Sequence, residues 1–225
     1  MKPLIIIPAR GGSKGIPGKN IKKLMGKPLI QYTIEVAKEV FEDNEICVST
    51  DSLEISRLVE NLGLQVPFLR PDELATDTAS TYDVLLHALH YYETHKFIPD
   101  LIVLLQVTSP FRTKKNIIEA LELYNESYDM IVSVKETKSN PYYVLFEEDE
   151  NGWLSKSKNG DFTRRQDAPK VWEYNGAIYL INPKSLKKGN HLEFKKVKKY
   201  VMDEKSSLDL DLPLDWMLAE ALLSK

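Results

Sequence analysis

Along the first 135 residues short apolar runs alternate with amphipathic stretches. LIIIPA (4–9), EICVST (45–50), LIVLLQ (101–106) and DMIVSV (129–134) read as strands buried on both faces. LIVLLQ is the most apolar of them and belongs near the middle of a sheet. Between them, PLIQYTIEVAKEVF (28–41), LEISRLVENLG (53–63), TYDVLLHALHYYETH (81–95) and KKNIIEALELYN (114–125) place apolar residues at helical spacing, the second ending on a glycine stop. Strands alternating with helices of this length predict βαβ units. The expected fold is α/β: a three-layer, Rossmann-like, mostly parallel sheet with helices on both faces.

The rhythm changes near residue 136. YYVLFEEDENGWLSK (142–156) carries an Asn151-Gly152 turn between two extended runs and predicts a hairpin. Residues 136–170 are therefore expected to leave the sheet as a small excursion and serve as a dimer contact. WEYNGAIYLI (172–181) returns as a strand, KKVKKYVMD (195–203) follows as a solvated edge, and PLDWMLAEALLSK (213–225) closes as a helix. The expectation is one domain over residues 1–225, with Trp153, Trp172 and Trp216 as packing residues.

Composition narrows the function. The chain of 225 residues carries a net charge of −3, which argues against a nucleic-acid footprint, so any anion site must be local. Its single cysteine, Cys47, lies in an apolar run and reads as a core residue. The opening apolar run ends at Pro8 and Arg10, too soon for a signal peptide or membrane span, and a soluble cytoplasmic protein is expected. His87 and His90 share a helix face without an evident third ligand, and no metal role is expected of them.

The candidate chemistry begins after the first strand. PARGGSKGIPGKN holds four glycines, and Arg10, Lys14 and Lys19 lie within ten positions. Glycines let backbone N–H groups approach a ligand, and cations beside them point to phosphate. It is not a P-loop: Ser13 stands where the first glycine belongs, and Asn20 where Ser or Thr would bind magnesium. No register fits the dinucleotide fingerprint either. A second feature is Leu208-Asp209-Leu210-Asp211-Leu212. Alternate residues of an extended segment project to one side, so both carboxylates can reach one cation, or both can face water on an edge strand.

PARGGSKGIPGKN resembles the signature of the CMP-sialic acid synthetase (acylneuraminate cytidylyltransferase) family. LRPDELATDTAS, LLQVTSPFRT, RRQDAP, YNGAIY and SLDLDLPLD look like further blocks of that family, in its order and across nearly the whole chain. Enzymes that activate the eight-carbon acid Kdo share a similar opening but usually carry proline after Gly-Lys. Asn20 follows here and favours the sialic-acid branch.

The resemblance implies that CTP and a nonulosonic acid, N-acylneuraminate first, yield the CMP-sugar and pyrophosphate. It implies Arg10, Lys19 and Asp211 as catalytic residues and Asp209 with Asp211 as ligands of Mg²⁺. Lys14, Asn20, Arg70 and Ser80 would contact the nucleotide; Gln106, Arg165 and Asn175 would contact the acceptor. Arg165 lies in the excursion and could reach a neighbouring subunit of a homodimer. Ser80 can also cap the helix after it, and Asn175-Gly176 also reads as a turn. Sialic-acid enzymes often carry a lysine shortly after the proline near Asn140-Pro141, where Tyr142 and Tyr143 stand here. A related acid such as legionaminic acid therefore also fits. Two other classes remain: a non-catalytic nucleotide-binding protein, disfavoured because the charged set is intact, and a glycosyltransferase with an Asp-x-Asp motif, which normally lies mid-chain.

Overall fold

A computed structural model describes residues 1–13 and 15–224. Pro3–Pro8 forms β1, and its buried run follows from a strand covered on both faces. Lys23–Leu24 (β2) and Lys27–Pro28 (β3) make a minute hairpin before helix α1, Leu29–Lys38. Then come β4 (Ile46–Ser49), α2 (Leu53–Asn61), α3 (Thr81–Thr94), β5 (Leu101–Leu105), α4 (Lys114–Glu122) and β6 (Met130–Glu136). The second half adds β7 (Phe146–Glu148), β8 (Leu154–Lys156), β9 (Trp172–Ile181), α5 (Pro183–Leu186), β10 (Val197–Val201) and α6 (Pro213–Leu223).

The main sheet has six strands in the order β10-β6-β9-β5-β1-β4. Five pairings join them: β1 pairs parallel with β4 and β5, β10 pairs parallel with β6, and β9 runs antiparallel between β5 and β6. The mostly parallel α/β expectation holds, with one reversed strand at the centre. β5 is inside, as its apolarity requires, and the lysine-rich β10 is the edge. Two apolar clusters cover the faces. The larger packs α1, α2, α4 and α6 around Ile5, Ile7, Val103 and Leu105; the smaller packs α3 around Leu4, Ile6 and Ile102.

The 142–156 stretch is an antiparallel hairpin, β7 with β8, standing in solvent. Trp216 is buried, but Trp153 is 74% exposed on that hairpin, against the expectation that it packs. No helix among the described residues is long and apolar enough to cross a membrane.

Candidate active site

Three loops leave the carboxyl ends of β1, β4 and β5, where a parallel sheet keeps its ligands. The first leans on the second: Ala9 N–H donates to the Ser49 carbonyl (2.9 Å) and Gly11 N–H to Asp51 Oδ1 (3.0 Å). It then closes on itself. Gly18, at φ +60, turns the chain, and Asn20 Nδ2 donates to the Arg10 carbonyl (2.9 Å). This fixes Lys19 facing inward on a rigid turn.

The far end of the chain meets this loop. Leu210 N–H donates to the Thr108 carbonyl (2.8 Å), tying residues 207–212 to the loop after β5. Lys19 Nζ donates to the Leu210 carbonyl (2.9 Å) and to Asp211 Oδ1 (2.8 Å). Asp215, in the first turn of α6, accepts from Leu212 N–H (2.7 Å) and Asp211 N–H (3.0 Å), and so orients the segment. Gly15 passes so close that a Cβ there would overlap the Asp211 carbonyl oxygen.

Together these segments enclose a cleft of about 480 Å³, lined among others by Arg10, Lys19, Asn20, Gln106, Thr108 and Asp211. Arg10 is held by an ion pair to Asp77 (2.8 Å) in the loop before α3. Asp209 sits deeper, with Oδ1 buried and unpartnered among the described residues and Oδ2 beside Gly176. Burial pushes its carboxyl up to about 6, and the Asp211 charge adds to this against the pull of Thr108 and Lys19. The Asp-Leu-Asp-Leu run is an extended crossing rather than an edge strand: Leu210 is fully buried behind it, while Asp211 is exposed.

Five of the expected residues thus meet at one cleft: Arg10, Lys19, Asn20, Gln106 and Asp211, with Asp209 beneath. The others lie elsewhere. Lys14 is outside the described residues. Arg70 is 5% exposed and spent inside, donating from Nε to Ser49 Oγ (3.1 Å), from Nη2 to the Ser49 carbonyl and from Nη1 to the Leu74 carbonyl (3.3 Å). Ser80 caps α3, accepting from Asp83 N–H (3.1 Å), and the next residue, Thr81, lines the cleft instead.

Asn175 is 3% exposed and does not reach the cleft. Its amide donates to Ser207 Oγ (2.9 Å) and accepts from Ser133 Oγ (2.6 Å), since β9 bulges there against β6. Asn175-Gly176 is accordingly a strand bulge and not a turn. Arg165 donates to the Lys138 carbonyl (3.1 Å) and lines a separate hollow with Lys138 and Lys170. Asp51 and Asp77 carry the opening loop without having been singled out. Asp51's place directly after a buried strand was its one sequence signal.

A family model described as cytidylyltransferase matches residues 4–220. The chain is 33% identical to a CMP-N,N'-diacetyllegionaminic acid synthase of Legionella pneumophila over 224 residues, 99% of this chain and 97% of that one. It is 38% identical to an N-acylneuraminate cytidylyltransferase of Escherichia coli over 229 residues, 100% of this chain but 52% of that one. It thus spans about half the length of the second relative. The fold superposes on a CMP:2-keto-3-deoxy-manno-octonic acid synthetase complexed with CTP at a TM-score of 0.73, with 20% identity and coverage of 100% and 99% of the two chains. A basic glycine loop facing an Asp-x-Asp crossing, matched by that model from the first strand into the last helix, places the chain in the cytidylyltransferase family.

Proposed function

We propose that this chain activates a nonulosonic acid with CTP, releasing pyrophosphate, with N-acylneuraminate as the acid. The acid's anomeric hydroxyl oxygen bonds to the α-phosphorus as the bond from that phosphorus to the pyrophosphate oxygen breaks, and the hydroxyl proton passes to water. Such transfers need positioning and charge neutralisation more than covalent chemistry. Arg10 and Lys19 supply fixed positive charge for the triphosphate and the departing pyrophosphate. Asn20 holds the loop that carries both, and Gln106 turns an amide toward the acceptor side.

Asp209 and Asp211 fit Mg²⁺. A buried, unpartnered carboxylate oxygen next to a second carboxylate suits a hard cation that keeps waters and phosphate oxygens as its other ligands. No cluster of three or more His, Cys, Asp or Glu able to hold a metal occurs among the described residues, so two carboxylates are the whole proposed protein share. The ion would neutralise phosphate charge. A homodimer joined through the 136–170 excursion, working in the cytoplasm, completes the proposal.

The observation that carries this reading is the 2.8 Å contact of Lys19 Nζ with Asp211 Oδ1 across a cleft that Arg10 also lines. Asp211→Asn tests it. Asp211 is exposed, so the fold should survive, while pyrophosphate release from CTP, Mg²⁺ and N-acetylneuraminate should drop by about 100-fold or more. Near-normal turnover rejects the assignment. A second reading, N,N'-diacetyllegionaminic acid as acceptor, is favoured by the nearly full-length match to the Legionella synthase. Offering both acids to the wild-type protein separates the two.

A further inference from the structure

Arg112 lies in the loop between β5 and α4 and is 3% exposed. It has no carboxylate partner among the described residues, and Nε and Nη2 find no acceptor there. Burial alone draws its guanidinium down to about 9. Keeping an unpaired charge inside is expensive, and an aliphatic side chain would fill the same place without that cost. What Arg112 does here that an aliphatic side chain cannot is bridge two carbonyls: Nη1 donates to Gln106 O (3.1 Å) and to Ala177 O (2.7 Å).

Those carbonyls belong to the mouth of β5 and to the bulge of β9. Gly176, at φ +75, precedes Ala177 in that bulge, and a Cβ there would stand 2.9 Å from Gln106 Oε1. The bridge therefore sets both the backbone that carries the Gln106 amide and the surface on which that amide rests. The opening loop on the nucleotide side is held by contacts outside this bridge, Asn20 to the Arg10 carbonyl and Gly11 N–H to Asp51.

We propose that Arg112 is a positioning residue for the acceptor acid, fixing the Gln106 amide by locking the β5 end to the β9 bulge. This rests on the transfer proposed above. The test is steady-state pyrophosphate release by wild type, Arg112→Met and Arg112→Lys, with each substrate varied in turn and Mg²⁺·CTP binding measured by calorimetry. Arg112→Met should raise KM for the acid about tenfold or more, leaving KM and Kd for CTP within about twofold. Arg112→Lys, whose ammonium can still donate to a carbonyl, should recover part of the loss. An equal rise for both substrates, or none, overturns the proposal. If Arg112→Met does not fold, the same split in Arg112→Lys decides it. Wild-type protein that binds CTP yet releases no pyrophosphate with either acid overturns the transfer reading, and this proposal with it. An unsplit variant beside an active wild type overturns this proposal alone.

Discussion

Gly15 is a residue at which the opening loop passes directly over the 207–212 crossing. Gly15 has a steric reason to lack a side chain: the Asp211 carbonyl occupies the space a Cβ would take. Backbone cannot rotate aside as a flexible side chain can. Gly15→Ala should therefore push the loop off the 207–212 crossing and break the Lys19–Asp211 contact. A stability loss of about 1–3 kcal/mol, read by denaturant titration, should accompany a fall of about tenfold or more in kcat/KM. Unchanged kinetics would mean that the two segments move freely past each other. Such a contact is invisible in sequence, because both partners look like solvent-facing loop. Arg70 and Asn175 teach the same lesson in reverse. A buried polar residue that ties strands together and one that binds a ligand are the same letters. Only the partners, Ser49 and Leu74 for Arg70 and Ser133 and Ser207 for Asn175, tell them apart.

Helix α3 shows what an element adds. Its start serves the cleft through Thr81, while its outer face carries His87 and Tyr91 packed on Phe68, with ring centroids 4.7 and 4.8 Å away. Burial lowers the pKa of His87, Arg70 and His90 lower it further, and Glu73 opposes them weakly. An unfolded chain takes up this proton near the ordinary histidine value, whereas the folded helix resists it. Stability from this site is thus complete above about pH 6.5 and falls as the pH drops through the lower folded value. His87→Leu, which removes the titration, should lose less melting temperature than wild type between about pH 7.5 and pH 5.5. Parallel curves would show that the imidazole titrates as in the unfolded chain. Periodicity announced α3 and the other long helices, since an amphipathic stripe is a local signal. The direction of β9 was not legible. A buried apolar strand reads alike either way, and only pairing with both β5 and β6 sets it antiparallel.

At the scale of the molecule, a cleft opened by the loops after β1, β4 and β5 in the first half of the chain receives its second wall from the last twenty residues, and the hairpin is a separate sheet of its own. The Asn151-Gly152 turn made the hairpin readable; its exposure was not, because apolar letters in a short strand do not say whether they meet the chain's own core. Phe146 is 48% exposed, Trp153 74% and Leu154 67%, an apolar concentration that a lone chain gains nothing by presenting to water. The proposed occupant is a second copy, and Arg165 gives the pairing a consequence: it lines a hollow at the base of the excursion, away from its own cleft. In light scattering, wild-type protein should run at twice the mass of one chain and Trp153→Ser/Leu154→Ser at the single mass, with the thermal melt still cooperative. If the excursion also completes the neighbouring acceptor site, the single-chain variant should bind Mg²⁺·CTP as wild type does and yet turn over the acid poorly. A wild type that is already monomeric removes the interface. A monomeric variant with full turnover keeps the interface but confines Arg165 to a structural role in its own subunit.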